Sequence, residues 1–115
     1  MDSILEKLAE CSQRQQPVCL CVVVDAKGGV PRHAGSKMLV FPDGTTMGTV
    51  GGGGVEAAVK AAALDAFVTR KPSLVHYSLN AQDESSLGIC GGEMQVYVEP
   101  ILAQPTLLVI GAGHV

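Results

Sequence analysis

Tryptophan is absent from this 115-residue chain, and its aromatic side chains are only Phe41, Phe67, Tyr77 and Tyr97. A core must therefore be built from Val, Leu, Ile, Met and Ala, in a chain that is 47% hydrophobic and long enough for one ordinary domain. Positive charge is also scarce. Eight Lys and Arg stand against eleven Asp and Glu, a formal net charge of −3, which leaves no basic footprint for nucleic acid. No apolar run approaches the roughly 18 residues of a membrane-spanning helix. No basic stretch leads into an apolar one at the N-terminus. The expected setting is soluble and cytoplasmic, with neither membrane nor nucleic acid as partner. The Cys-x-x-Cys pair is missing too, and Cys11, Cys19, Cys21 and Cys90 match no zinc-ligand spacing. Their ordinary reading is as small buried hydrophobes, with Cys19 and Cys21 on one face of a strand.

Glycine, by contrast, is abundant, and its placement organises the chain. Residues 28–56 read GGVPRHAGSKMLVFPDGTTMGTVGGGGVE. The stretch opens on a glycine turn that presents Arg32, passes through a hairpin and ends in Gly51, Gly52, Gly53 and Gly54 ahead of a helical run. Such a cluster costs backbone entropy and buries nothing. Two readings account for it: positive φ or close packing, or approach of a ligand to backbone N–H groups at a helix start.

Around this stretch the elements follow from pattern. Ile4, Leu5, Leu8 and Cys11 fall at helical spacing behind a Ser3/Glu6 capping box, giving a helix to about Arg14. Val18 to Val24, VCLCVVV, is an uninterrupted β-branched run of the kind covered on both faces, which predicts a central strand. Lys37–Phe41 and Thr45–Val50 are strands about a Pro42-Asp43-Gly44 turn. Val55–Thr69 is a helix with a stripe of Val55, Val59, Ala62, Ala66 and Phe67, stopped by Pro72. Ser73–Leu79 is a strand, and Asn80–Ser86 a polar loop. Leu87–Gly92, LGICGG, is a second glycine-flanked turn. In Glu93–Pro100, Met94, Val96 and Val98 alternate with Glu93, Gln95, Tyr97 and Glu99.

Thr106–Ile110 is a further apolar strand, followed by GAGHV. A strand running into Gly-x-Gly resembles the opening of a dinucleotide-binding fold, but the third glycine is missing. The fold expected is α/β: a mixed β-sheet of five or six strands with flanking helices over residues 1–104, then the first strand of a truncated Rossmann-like second domain over 105–115. An apolar strand of this kind, without its own domain, should pair with the sheet edge or with another chain, so a homo-oligomer, at least a dimer, is expected.

Three motifs in this order, residues 28–56, LGICGG followed by a strand ending in Glu99-Pro100, and LLVIGAGHV, closely resemble the XdhC/CoxI (CoxF) family. Its members are accessory proteins of xanthine dehydrogenase and carbon monoxide dehydrogenase. The resemblance extends over nearly the whole chain from Val18. It implies a cofactor chaperone rather than a turnover enzyme: one that binds the molybdenum cofactor (molybdopterin or its dinucleotide form), shelters it during sulfuration and helps insert it into an apo molybdenum hydroxylase. A separate cysteine desulfurase supplies the sulfur.

That implication singles out cofactor-binding candidates. Gly51, Gly52, Gly53 and Gly54 can offer N–H donors and a positive dipole end to a phosphate, or can simply permit tight strand-to-helix packing. Glu56 in the first helical turn suits the dipole without any ligand and would repel a phosphate placed close by. Arg32 can grip phosphate in a bidentate way. Lys37 is a weaker candidate at a strand end, and His33 reads as a surface histidine. Cys90, with Gly91 and Gly92 after it, presents a sterically open thiol that can ligate molybdenum, carry sulfur or do neither. Two rival readings remain: a piece of a nucleotide-dependent oxidoreductase, suggested by GAGHV, and a sulfurtransferase acting through Cys90.

Overall fold

A computed structural model describes residues 3–27, 34–51, 53–78 and 93–102 of the chain. Its elements run in the order α1 (Ser3–Gln13), β1 (Val18–Lys27), β2 (Lys37–Val40), β3 (Thr46–Gly48), α2 (Gly53–Thr69), β4 (Ser73–Ser78) and β5 (Glu93–Ile101). The five strands form one sheet in the order β3-β2-β1-β5-β4. The β-branched run Val18–Val24 takes the central position that its lack of polar residues demands.

Every ladder in this sheet is antiparallel. The mixed sheet expected from the alternation of strands and helices is therefore corrected, and the reason lies in α2. This helix joins β3 to β4, which run in the same direction but occupy opposite edges of the sheet. Three strands lie between them, so no parallel pair forms. At about 1.5 Å per residue, the 17 residues of α2 reach roughly 25 Å, enough to cross five strands spaced about 4.8 Å apart. The Thr106–Ile110 strand and the proposed second-domain boundary at 105 lie outside the described residues.

Alternation along each strand builds two unequal cores. On one face Cys19, Cys21, Val23, Met38, Val40, Met94, Val96 and Val98 pack beneath Val55, Val59, Ala63 and Ala66 of α2, all buried. The buried stripe of α2 is rotated slightly from the one read in the sequence, with Ala63 innermost and Ala62 at its flank. Alanines are what let so long a helix lie close to the strands. On the other face α1 packs Ile4, Leu8 and Cys11 over Val18, Leu20, Leu39, Phe41 and Met47. Leu5, placed by spacing on the apolar side of α1, is half exposed. α1 closes in a Schellman-type turn. Gln15 adopts a positive φ of 56° and the Gln16 N–H donates to the Cys11 carbonyl at 2.8 Å.

Two local devices fix the hairpin between β2 and β3. Asp43 Oδ1 accepts from the Thr45 N–H at 3.0 Å and from its hydroxyl at 2.7 Å, the Asx-type turn that Pro42-Asp43-Gly44 predicts. At Gly48, φ is +84° and a Cβ would stand 2.6 Å from the Lys37 carbonyl oxygen and 2.8 Å from Ile4 Cδ1. Only glycine lets β3 approach β2 and α1 so closely.

Candidate functional site

Strand directions decide where the glycine motifs go. β1, β3 and β4 all end at the same end of the sheet, and β2 and β5 begin there. The connections 28–36, 49–52 and 79–92 therefore leave the sheet on that side, although they are scattered along the sequence. β1 and β5 continue past the level at which β3 ends: Lys27 pairs with Glu93, while Gly48 pairs with Met38, one residue into β2. β4 reaches the same level, with Ser78 paired to Glu93, so the start of α2 sits at the flank of a projecting three-strand ridge.

Among the described residues the clearest structure at this end is the loop from Thr49 to Glu56. The Thr49 hydroxyl donates to Glu56 Oε2, and the Val50 N–H donates to the same oxygen at 3.3 Å. Thr49 Oγ1 in turn accepts from the Gly51 N–H at 3.0 Å. Val50 is fully buried beneath α2, so the loop is anchored by an apolar plug and closed by a carboxylate. Charge-assisted bonds of this type are among the stronger ones available to a polar side chain. Glu56 thus binds the protein's own loop through Oε2.

The glycines answer the question posed by their clustering. Gly51 and Gly53 have positive φ, 138° and 57°, whereas Gly54 does not. A Cβ on Gly53 would meet nothing within 4 Å. Among the described residues nothing crowds that position, so backbone conformation rather than close packing calls for glycine at 53. The N–H groups of Gly53, Gly54 and Val55 open a helix, where no intrahelical acceptor exists for them. Such donors suit an anion.

The other sequence candidates divide. Lys37 alternates with the inward-facing Met38, so it lies on the sheet face away from α2. Its Nζ donates to the Gly35 carbonyl at 3.1 Å, beside Ile4 and Leu5. Topology thus places it at the correct end but on the opposite face from the glycine turn. Arg32, His33, Gly52, Cys90, Gly91 and Gly92 lie outside the described residues, as does any contact they make. Thr49 is the residue that spacing missed. It stands seven positions before its partner Glu56, too far for a capping box, and only the folded turn brings them together.

The remaining cysteines behave as small hydrophobes. Cys11, Cys19 and Cys21 are free and buried. Cys19 and Cys21 share a hydrogen bond on the α2 face of β1, which, together with burial, pushes the Cys21 thiol far above its ordinary range. Both the shift and the burial disfavour the reactive thiolate. Among the described residues no cluster of three or more His, Cys, Asp or Glu is arranged to hold a metal ion. No helix there is long and apolar enough to cross a membrane. An open groove of about 490 Å³ beside Lys7, Gln16, Phe41 and Asp43 lies at the other end of the sheet.

The geometry can be set beside known proteins. The profile of the XdhC and CoxI family matches residues 11–78, more than half of the chain. The uncharacterized protein YqeB of Escherichia coli K12 is 38% identical over 114 residues, covering 98% of this chain and 21% of that protein. The molybdenum cofactor insertion chaperone PaoD of the same organism is 29% identical over 109 residues, covering 94% of this chain and 34% of that one. A crystal structure described as a xanthine dehydrogenase (BH1974) from Bacillus halodurans superposes with a TM-score of 0.71 at 30% identity, over 85% of this chain and 29% of that chain. The chain thus spans about a fifth to a third of the length of these relatives. From the profile match across both core layers and the agreement of fold, this chain belongs to the XdhC and CoxI family.

Proposed function

We propose that this chain is the N-terminal portion of a molybdenum cofactor chaperone that serves maturation of molybdenum hydroxylases of the xanthine or carbon monoxide dehydrogenase type. One observation carries the reading: the sheet directs its three glycine-bearing connections, 28–36, 49–52 and 79–92, to one end, where α2 presents its N-terminus. Family membership and the similarity to PaoD support the cargo. The donors at Gly53, Gly54 and Val55, with no described atom within 4 Å of a Cβ at Gly53, fit the phosphate of the cofactor or of its dinucleotide form. Glu56 holds the loop that shapes this position, and its carboxylate charge is partly offset by the bonds it accepts. Arg32 from the first connection and Cys90, with Gly91 and Gly92, from the third are the groups proposed to complete the site. In this reading the guanidinium grips phosphate and the thiolate stands toward the soft metal.

In this reading the domain turns over no substrate. It shelters the cofactor while a separate cysteine desulfurase provides sulfur, and it hands the product to the apo-hydroxylase in the cytoplasm. The test is anaerobic mixing with molybdenum cofactor followed by gel filtration, with molybdenum and pterin measured in the protein fraction. Near-stoichiometric retention is expected, falling at least tenfold for Arg32→Ala. Gly53→Asn, which keeps a residue able to adopt positive φ, should also reduce retention without unfolding the chain. Retention unchanged in both variants would remove the glycine end as the binding site. No retention by the native chain would remove the cargo.

A further inference from the structure

The outer side of α2 is not built for water. Of its 17 residues only Glu56, Lys60 and Asp65 carry charge. A helix laid on a sheet ordinarily keeps one apolar stripe for the core and turns polar residues outward. α2 has a second apolar stripe, opposite the buried one. It runs through Ala57, Ala61, Leu64 and Val68, in steps of four, three and four. Ala57, Ala61 and Val68 are exposed, Val68 by 79%, and Leu64 is half-buried.

We propose that this outer stripe is a homodimer seam, in which α2 packs in parallel against α2 of a second copy around a two-fold axis. Steps of four and three are those of the a and d positions of a heptad, the pattern by which two helices interlock. Ala57 and Leu64 take d, and Ala61 and Val68 take a. A β-branched residue at a with leucine at d favours a parallel pair of helices. The alanines let the backbones approach closely over the first half of the seam.

Charge selects both the occupant and its direction. Lys60 stands at g and Asp65 at e, about 70° to either side of the seam, and both are exposed. Lys60 lies beside the hairpin turn at Gly44, and Asp65 is on the opposite flank. In a parallel pair a g residue meets the e residue five positions on in the other helix. Lys60 therefore meets Asp65 of the second copy, and the two-fold axis repeats the contact. An antiparallel pair brings g to g and e to e, which turns Lys60 toward Lys60 and Asp65 toward Asp65. Parallel alignment sets two helix dipoles side by side, a cost confined to the terminal turns and screened by salt.

The pairing brings the two α2 starts to the same end, with axes about 8–10 Å apart. The homo-oligomer expected from the sequence is thereby assigned to α2 rather than to the run Thr106–Ile110. The assignment stands apart from the cofactor reading.

Sedimentation equilibrium of the 115-residue chain at low ionic strength tests this, with circular dichroism to verify folding. The native chain should dimerise. Lys60→Asp and Asp65→Lys each set like charges across both contacts, and each should weaken dimerisation at least tenfold. An equimolar mixture of these two variants should recover it, because every contact between unlike copies is then a pair of opposite charges. The doubly exchanged chain, Lys60→Asp with Asp65→Lys, should recover it alone. Ala61→Glu, in the seam itself, should leave a folded monomer. A native chain that is monomeric at every concentration overturns the proposal. So does a dimer that keeps its affinity through both reversals, or one that both reversals weaken without recovery on mixing.

Discussion

The sheet's two faces are built from the same five strands, yet they do different work. Beneath α2, residues such as Met38, Met94, Val96 and Val98 are almost wholly buried, and an alanine-rich helix lies across the strands. Toward α1, the residues alternating with them include Lys37, Gln95, Tyr97 and Glu99, and only the β2 side is roofed by Leu8, Cys11 and Ile4. One face holds the domain together. The other combines a small satellite core with residues that no described element covers. The period of two along each strand makes this division possible, because each strand contributes to both faces at once.

Mutations can break that comparison, and the largest effect belongs to the closed face. Met94→Ala removes a fully buried side chain and should cost about 2–5 kcal/mol, read as a lowered urea midpoint. Leu74→Ala, on the open face, should cost at most about 1 kcal/mol. Equal losses at the two positions would mean that both faces are core.

Gly48→Ala probes the junction of β3, β2 and α1. The new Cβ would meet the Lys37 carbonyl and Ile4 at a φ of +84°, and residues forced into such a region cost on the order of 1–3 kcal/mol. A variant as stable as the parent would show that β3 can move away from β2 freely.

A smaller effect separates the loop clamp from the core. Thr49→Ala removes the hydroxyl that links Gly51 to Glu56 and should lower stability by about 1 kcal/mol. Its signature is local: faster amide exchange at Gly51 and in the first turn of α2, with β1 and β5 unchanged. Uniform loss of protection would show that the clamp belongs to the global fold.

The smallest effect is electrostatic and concerns the hairpin. The Thr45 backbone N–H, then its hydroxyl, hold the Asp43 carboxyl below its ordinary value. A carboxyl depressed in the folded state adds stability above its unfolded value, about 3.9. That contribution is lost as pH falls through the lower folded value. An NMR titration should therefore show the Thr45 amide shift moving with a midpoint below the unfolded value, and Asp43→Asn should abolish that step. A midpoint at or above the unfolded value would remove the turn's stabilising role.

Much of this was legible in the chain itself. Val18–Val24 declares a central strand because it has no polar residue to put in water, but the cover on both faces that the run predicts is incomplete, with Val24 exposed. Glu93–Pro100 declares one closed and one open face because its apolar residues recur every second position. The hairpin at Pro42-Asp43-Gly44 and both helices also appear as local chemistry predicts. The sheet's polarity was not legible. A strand–helix–strand succession reads equally as a parallel neighbour pair or as a crossing from edge to edge, and which one forms depends on the three strands that fill the gap.

The glycine end divides in the same way. Positive φ at Gly51 and Gly53 is a property that glycine advertises. The role of Glu56 was half visible: its fit to the helix start follows from position, but its bonds to Thr49 and Val50 require the turn to be folded. Lys37 shows the reverse case. Its sequence position is beside the glycine stretch, yet strand alternation places it on the opposite face.

What the sequence determined by itself were the elements, their apolar faces and the turns, because these depend on residues within a few positions of one another. The tertiary structure alone decided that the sheet is antiparallel, that three distant glycine connections share one end, and that among the described residues α1 covers only the β2 side of its face. Those outcomes depend on strand order, which is set by how α2 and the strands between β3 and β4 bury the most apolar surface together.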